Sequence, residues 1–119
     1  MDLKLEVVPI PVSDVDAAKA FYTGQVDFNL DHDASPTPGM RVVQMTPPGS
    51  ACSIAFGRGL VEGEPGSVKG LQAVVADIEE AHRELSGRGV PVTAVEDLAW
   101  GRFLWFDDPD GNHWALQQL

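Results

Sequence analysis

The chain has 119 residues, a length that suits one domain with its own hydrophobic core. Hydrophobic residues make up 44% and charged residues 22% of the sequence, which is typical of a soluble globular protein. The net charge of −10 argues against nucleic acids and anionic membranes as partners, and the single cysteine, Cys52, excludes an internal disulfide and favours a cytoplasmic location.

Hydrophobic periodicity and turn residues predict the same order of elements in each half of the chain: a strand, a helix and three strands. In the first half the predicted ranges are 3–10, 13–24, 26–33, 40–46 and 51–57. In the second half the predicted ranges are 68–75, 76–89, 91–96, 102–107 and 113–118.

Both predicted helices begin at sequences that have the spacing of a capping box. Ser13 is followed by Asp16, and Asp77 is followed by Glu80. We therefore expect Ser13 and Asp77 to cap the two helices.

The two halves also align directly with one another. Residues 12-VSDVDAA-18 match 75-VADIEEA-81 at an offset of 63 residues, and each match follows a strand and opens a helix. Such a repeat predicts the whole fold rather than one segment of it. We expect one domain of two βαβββ modules, at about 1–58 and about 67–119, joined by a linker at 59–66 that is rich in Gly and Glu.

Three aspartates, a glycine and an asparagine lie in the segment 107-DDPDGN-112. A calcium loop of the EF-hand type needs oxygen ligands at alternating positions before its glycine, and Phe106 falls on one of these positions. The distal glutamate of such a loop has no counterpart either. Pro109 presets φ for a turn and Gly111 can adopt a positive φ, so the segment predicts a hairpin turn.

These features together resemble the vicinal oxygen chelate superfamily, which includes glyoxalase I, the bleomycin resistance proteins and the extradiol dioxygenases. The resemblance rests on residues 12–22, 75–90 and 103–119, and above all on the pattern F-x-D-P-D-G-N followed by a strand. It implies an α+β fold in which two βαβββ modules form a cup-shaped mixed sheet with the helices outside. It also implies that modules pair around a small molecule, within one chain or across a homodimer.

In metal-using relatives, His, Gln or Glu side chains on the first and last strands of each module hold the ion. On this sequence the four positions fall on Val7, Gly70, Ala115 and a residue near Ser53, with Cys52 as the neighbour if the register shifts by one. Valine, glycine and alanine offer no lone pair, and serine is a poor ligand for a transition metal. The resemblance therefore implies neither a metal site of the family type nor another cofactor.

Strand alternation predicts which side chains face the cup. Trp114 and Leu116 should pack under the helices, whereas Val7, Val74 and Ala115 should line the cup. Trp100 and Arg102 are expected at its rim. The residues that we predict to bind a ligand are Ser53, Gln72, Trp100, Arg102, Phe103, Trp105, His113 and Gln117.

We predict a metal-independent protein that holds an apolar or aromatic small molecule in the cup, with a homodimer as its assembly. One alternative is a glyoxalase-like lyase or isomerase, or another enzyme of the superfamily with an atypical site. No catalytic residue is assigned for it, and His113 is the acid–base candidate. The other alternative is an interaction module that uses the cup as a dimer interface.

Overall fold

In the computed structural model, which describes residues 1–119, each half of the chain forms a four-stranded sheet and one helix. The first half contains β1 (Val7–Pro9), α1 (Val15–Ala20), β2 (Asn29–Ala34), β3 (Arg41–Thr46) and β4 (Ser53–Arg58). The second half contains β5 (Leu71–Val74), α2 (Ile78–Gly87), β6 (Glu96–Leu98), β7 (Gly101–Asp107) and β8 (His113–Gln118).

The two sheets have the same topology. Their strand orders are β1-β4-β3-β2 and β5-β8-β7-β6. The first and last strands of each half pair in parallel, and all other neighbours pair antiparallel. The predicted α+β fold of two βαβββ modules is therefore confirmed. Neither helix is long and apolar enough to cross a membrane.

β1 and β2 begin later than the sequence predicted. β1 begins at Val7, because among the residues before it only Glu6 bonds to the neighbouring β4, through the N–H of Ser53. β2 begins at Asn29, because Asp27 adopts a positive φ of 67°, a conformation that an extended strand does not contain.

The prediction of a strand over 91–96 is wrong for most of its length, since β6 begins only at Glu96. Pro91 has no N–H to contribute to a sheet, and Thr93 bonds to β7 as an isolated contact. The first helix is also shorter than predicted, because α1 is followed by a π-helical turn over Phe21–Gln25.

The cap of α2 follows the prediction, whereas that of α1 does not. Asp77 caps α2 and accepts from the N–H of Glu80 at 3.1 Å. In α1 the cap is Asp14, which accepts from the N–H of Ala17 at 3.0 Å. The cap of α1 was therefore predicted one residue too early. Ser13 instead bonds to Asp110 in the second half of the chain.

One hydrophobic core joins the two halves. The prediction that Trp114 and Leu116 pack on the helix side is confirmed, since they are only 4% and 9% exposed. The 16 core residues are Ile10, Val15, Ala18, Phe21, Tyr22, Val43, Met45, Ile54, Phe56, Ile78, Leu85, Val90, Leu104, Phe106, Trp114 and Leu116.

A buried carboxylate, that of Asp108, connects the two halves through hydrogen bonds. Tyr22 Oη donates to it at 2.9 Å and Asn112 Nδ2 at 2.8 Å. The backbone N–H groups of Asp110 and Asn112 donate to its other oxygen at 3.0 and 2.8 Å. Trp114 Nε1 in turn donates to Tyr22 Oη at 3.0 Å. Four donors thus offset the free energy that burial of this carboxylate costs.

Asn112, which is fully buried, extends this network across the chain. Its Oδ1 accepts from the N–H of Val68 at 3.1 Å, and its Nδ2 donates to the carbonyl of Pro11 at 2.9 Å. Because Pro11 follows β1 and Val68 precedes β5, one side chain joins the beginnings of both halves. Burial, and after it the Asp108 carboxylate, raise the pKa of Tyr22 well above its ordinary value, so its hydroxyl remains a donor.

The aspartate-rich segment forms the predicted turn. The N–H of Asp108 donates to the carbonyl of Asn112 and the N–H of Gly111 to the carbonyl of Asp108, both at 3.0 Å, and Gly111 has a φ of 95°. The carboxylate of Asp110 accepts from the N–H and the hydroxyl of Ser13 at 3.0 and 2.5 Å. Asp108 and Asp110 therefore act as hydrogen-bond acceptors that attach the hairpin to the first half of the chain.

Asn112→Ala should strongly destabilise the fold, because it removes hydrogen bonds from Val68, Pro11 and Asp108 at a buried position. Since each buried polar group without a partner costs about 1–3 kcal/mol, we expect the free energy of unfolding to fall by about 2–4 kcal/mol. Urea denaturation measures this change.

The matched control is Asn29→Ala, because Asn29 lies on the exposed strand β2 and its side chain bonds only to that of Asp31. Its expected effect is below about 0.5 kcal/mol. A loss under about 1 kcal/mol for Asn112→Ala would contradict the role given to this side chain.

Candidate functional site

The hairpin of β7 and β8 carries half of the predicted ligand-binding residues on one face: Phe103, Trp105, His113 and Gln117. Phe103 pairs with Gln117 and Trp105 pairs with Ala115 across the two strands. The rings of Phe103 and Trp105 stack, with centroids 5.6 Å apart and planes 10° apart. Leu104, between them, belongs to the core on the other face. We call the face of each sheet that points away from the helices its cup face.

Two glutamines on the cup face of the second sheet bond to one another. Gln72 Nε2 donates to Gln117 Oε1 at 2.6 Å, and Gln117 Nε2 donates to the carbonyl of Trp100 at 2.9 Å. Gln117 is only 7% exposed, so its amide is committed to the fold rather than presented to a ligand. The side-chain oxygen of Gln72, an exposed residue, is the acceptor of this pair that no protein donor uses.

Ser53 lies on the cup face of the first sheet, paired with Val7 of β1. Its hydroxyl is 2.6 Å from Thr46 Oγ1, which also contacts Asp31 at 2.5 Å. Ser53 is 6% exposed, so its hydroxyl is bonded within the sheet and has little contact with solvent.

The two residues predicted at the rim differ in their surroundings. Trp100 precedes β7 and is 68% exposed. Arg102 lies on the helix side, where its guanidinium donates to Asp97 at 2.6 Å and to Glu79 of α2 at 2.8 Å. The hydrogen bond to Asp97, and to a smaller extent that to Glu79, raises the pKa of Arg102. The structure therefore separates Arg102 from the cup-face residues, since adjacent residues of a strand point to opposite faces.

His113 contacts Asp107 where β7 and β8 leave the turn. His113 Nδ1 lies 2.6 Å from Asp107 Oδ1, and both side chains are partly exposed. The contact favours the tautomer with its proton on Nδ1, which leaves Nε2 as an acceptor. This pair can orient a base, although no second catalytic group is arranged beside it.

Strand pairing shows which residues lie beside those expected at the metal-ligand positions of metal-using relatives. Gln72, rather than Gly70, lies beside Ala115, while Val7 lies beside Ser53 as expected. Of these side chains only Gln72 is of a type that holds the ion in such relatives, and no group of three or more His, Cys, Asp or Glu residues is placed to hold an ion. The residues present do not fit a metal centre of that kind.

The largest cleft has a volume of 590 Å³ and lies at the edge of β7. The sequence singled out Trp105 and His113, which border it, but missed its other walls. Those come from Phe21, Gln25 and the segment 91–93, which are distant in the chain and carry no local motif. A second cavity, of 380 Å³, lies between the loop before β4 and the strand β5, and the partly exposed Cys52 borders it.

Comparisons with known proteins agree with this architecture. The family model described as the Glyoxalase/Bleomycin resistance protein/Dioxygenase superfamily matches residues 4–116. TnmS3, an antibiotic binding protein from Streptomyces sp. CB03234, is 34% identical in sequence and superposes with a TM-score of 0.89, covering 98% of this chain and 96% of TnmS3.

Two further relatives cover almost the whole chain. A superfamily member from Sphaerobacter thermophilus DSM 20745 is 34% identical with a TM-score of 0.87, and the match covers 99% of this chain and 98% of that one. The uncharacterized protein YetH of Bacillus subtilis (strain 168) is 23% identical over 117 residues, 97% of this chain and 98% of YetH. The resemblance seen in the sequence is thus confirmed, and the chain belongs to the Glyoxalase/Bleomycin resistance protein/Dioxygenase superfamily.

Proposed function

We propose that the protein binds an apolar or aromatic small molecule on the cup face, without a metal ion. The observation that carries this proposal is the partly exposed Trp105, held flat against the buried Phe103. Gln72, on the same face, has a side-chain oxygen that no protein donor uses. An aromatic surface with a few polar groups is the usual composition of a small-molecule site. Trp105 would contact a planar ligand, and Gln72 would accept one hydrogen bond from it.

Two further observations support a binding role. The residues expected at the metal-ligand positions of metal-using relatives, Val7, Ser53, Gly70 and Ala115, supply no such ligand set. Gln72, which lies beside Ala115, would add only one amide oxygen. TnmS3, which is similar over 98% of this chain, is described as an antibiotic binding protein. Binding of a drug-like molecule can use side chains that this chain already has, whereas a metal-dependent reaction would require metal ligands that it lacks.

We also propose that two copies of the chain pair and so close the cup. Val74 and Trp100 at the second sheet are 61% and 68% exposed, and Leu5 and Val7 at the first are 74% and 38% exposed. Exposed apolar side chains gathered on one side of a protein mark an interaction surface. A partner chain over these residues would convert an open sheet face into an enclosed site with low access to water.

Two other functions have one observation each in their favour. The contact between His113 and Asp107 favours a glyoxalase-like lyase or isomerase in which His113 Nε2 serves as a base. The exposed Val74 and Trp100 favour an interaction module in which the partner's own side chains fill the cup.

Phe103→Leu should weaken the binding of acridone, a neutral planar probe, because it removes the ring that supports Trp105. We expect a loss of about five- to tenfold in affinity, in keeping with the worth of an aromatic pair. Equilibrium dialysis measures it. Phe56→Leu is the matched control, since Phe56 is buried on the helix side of the first sheet. Equal losses in the two variants would remove the case for a cup-face site.

Val74→Lys should convert a dimer into a monomer, because it places a charge in the proposed interface. Light scattering after size exclusion should give twice the chain mass for the parent protein and the single chain mass for the variant. Leu60→Lys is the control, since Leu60 is also exposed but lies in the loop between the sheets. A monomeric parent protein would contradict the proposed pairing.

Metal analysis tests the absence of a metal requirement. Protein purified without chelator, then incubated with Ni²⁺, Zn²⁺ or Fe²⁺ and dialysed, should retain well below one ion per chain, because the family positions lack ligands. Stoichiometric retention of any of these ions would favour the enzyme instead.

A further inference from the structure

We propose that the cleft at the edge of β7 binds an aromatic amine in its cationic form. The cleft has a volume of 590 Å³, within the range of small-molecule sites. One chain forms it, from the π-helical turn, the segment 91–93 and six residues at the turn end of the last hairpin: Trp105, Phe106, Asp107, Asp108, Pro109 and His113. Trp105 borders both this cleft and the cup face, so the cleft extends the proposed site and the inference rests on the proposed function. One chain supplies all of its walls, so it does not require the chain pairing that closes the cup.

The charges that border the cleft favour a cation. Asp107 and Asp108 lie in its wall, and no lysine or arginine does. The whole chain adds to this field with a net charge of −10. A concave site lined by charges of one sign concentrates ligands of the opposite sign.

The hydrogen-bonding capacity left free in the cleft consists mostly of acceptors. Asp107 uses Oδ1 in its contact with His113 Nδ1, which leaves Asp107 Oδ2 and His113 Nε2. Gln25 donates its Nε2 to a backbone carbonyl at 3.2 Å, which leaves its Oε1. The free donors are the hydroxyl of Thr93, whose Oγ1 accepts from a backbone N–H of β7, and the second N–H of Gln25 Nε2. An ammonium group, which has donors and no acceptor, matches this set, and a carboxylate or phosphate does not.

Trp105 provides an aromatic surface beside these acceptors. One face of its ring stacks on Phe103, so the other face is the one that can receive a ligand. A cation held within about 6 Å of a tryptophan ring is attracted by its π electrons. The apolar side chains of Phe21, Pro91 and Val92 supply contact area for the hydrocarbon part of the ligand. The cleft thus combines the three features that an aromatic amine requires.

Three probes with one ring system test this assignment: 9-aminoacridine, acridone and acridine-9-carboxylate, which are cationic, neutral and anionic at neutral pH. Fluorescence polarisation at low ionic strength should show the tightest binding for 9-aminoacridine, and added salt should weaken that binding selectively. Asp107→Asn should weaken 9-aminoacridine binding by about fivefold and leave acridone binding unchanged.

The matched control is Glu62→Gln, which changes the net charge by the same amount in the loop between the sheets. Thermal unfolding of both variants should match that of the parent protein. Equal affinity for the cation and the anion, an equal effect of the two variants, or no saturable binding of 9-aminoacridine would each overturn the proposal. Acridone binding and its loss in Phe103→Leu test the aromatic surface that both proposals use, whereas the preference for 9-aminoacridine and its loss in Asp107→Asn test the cation assignment. Failure of the proposed function is therefore distinguishable from failure of this inference.

Discussion

The buried carboxylate of Asp108 is the constraint on which the arrangement of the two halves depends. A carboxylate withdrawn from water is tolerated only where several donors converge on it, and here they come from Tyr22 in the first half and from the turn residues in the second. Asn112 adds bonds to Pro11 and to Val68. Because these donors meet only when both halves are in place, the network selects one relative position of the two sheets. It also fixes the turn of the hairpin that carries the candidate sites.

The two halves share a topology but not a surface chemistry. β3 and β4 occupy in the first sheet the places that β7 and β8 occupy in the second. The residue paired with Ala55 is Gln44, whereas the residue paired with Ala115 is the aromatic Trp105. A cup closed from one sheet of each kind would therefore have an aromatic wall and a wall of small and polar side chains. Such unequal walls orient a planar ligand, because only one of them offers a stacking surface.

Membership of the superfamily determines the fold of this protein and not its chemistry, since one fold supports many functions. The strands that carry metal ligands in metal-using relatives are present in this chain, but the side chains of Val7 and Ala115 on them cannot coordinate a metal. The side chains that remain available are instead an aromatic surface and a set of acceptors at the end of the hairpin. The acceptors of Asp107 and His113 lie at the turn end of the hairpin, at an edge that the fold brings against the π-helical turn.

The sequence by itself determined the order of elements, the hairpin turn and the buried face of β8, on which Trp114 and Leu116 lie. These features follow from hydrophobic alternation and from the backbone preferences of proline and glycine, which are local properties. Only the tertiary structure decided that Gln72 rather than Gly70 lies beside Ala115 and that the amide of Gln117 is already bonded. It also brought together the walls of the cleft at β7. Each of these depends on contact between segments far apart in the chain, such as the 45 residues between Gln72 and Gln117, and no local pattern encodes such contacts.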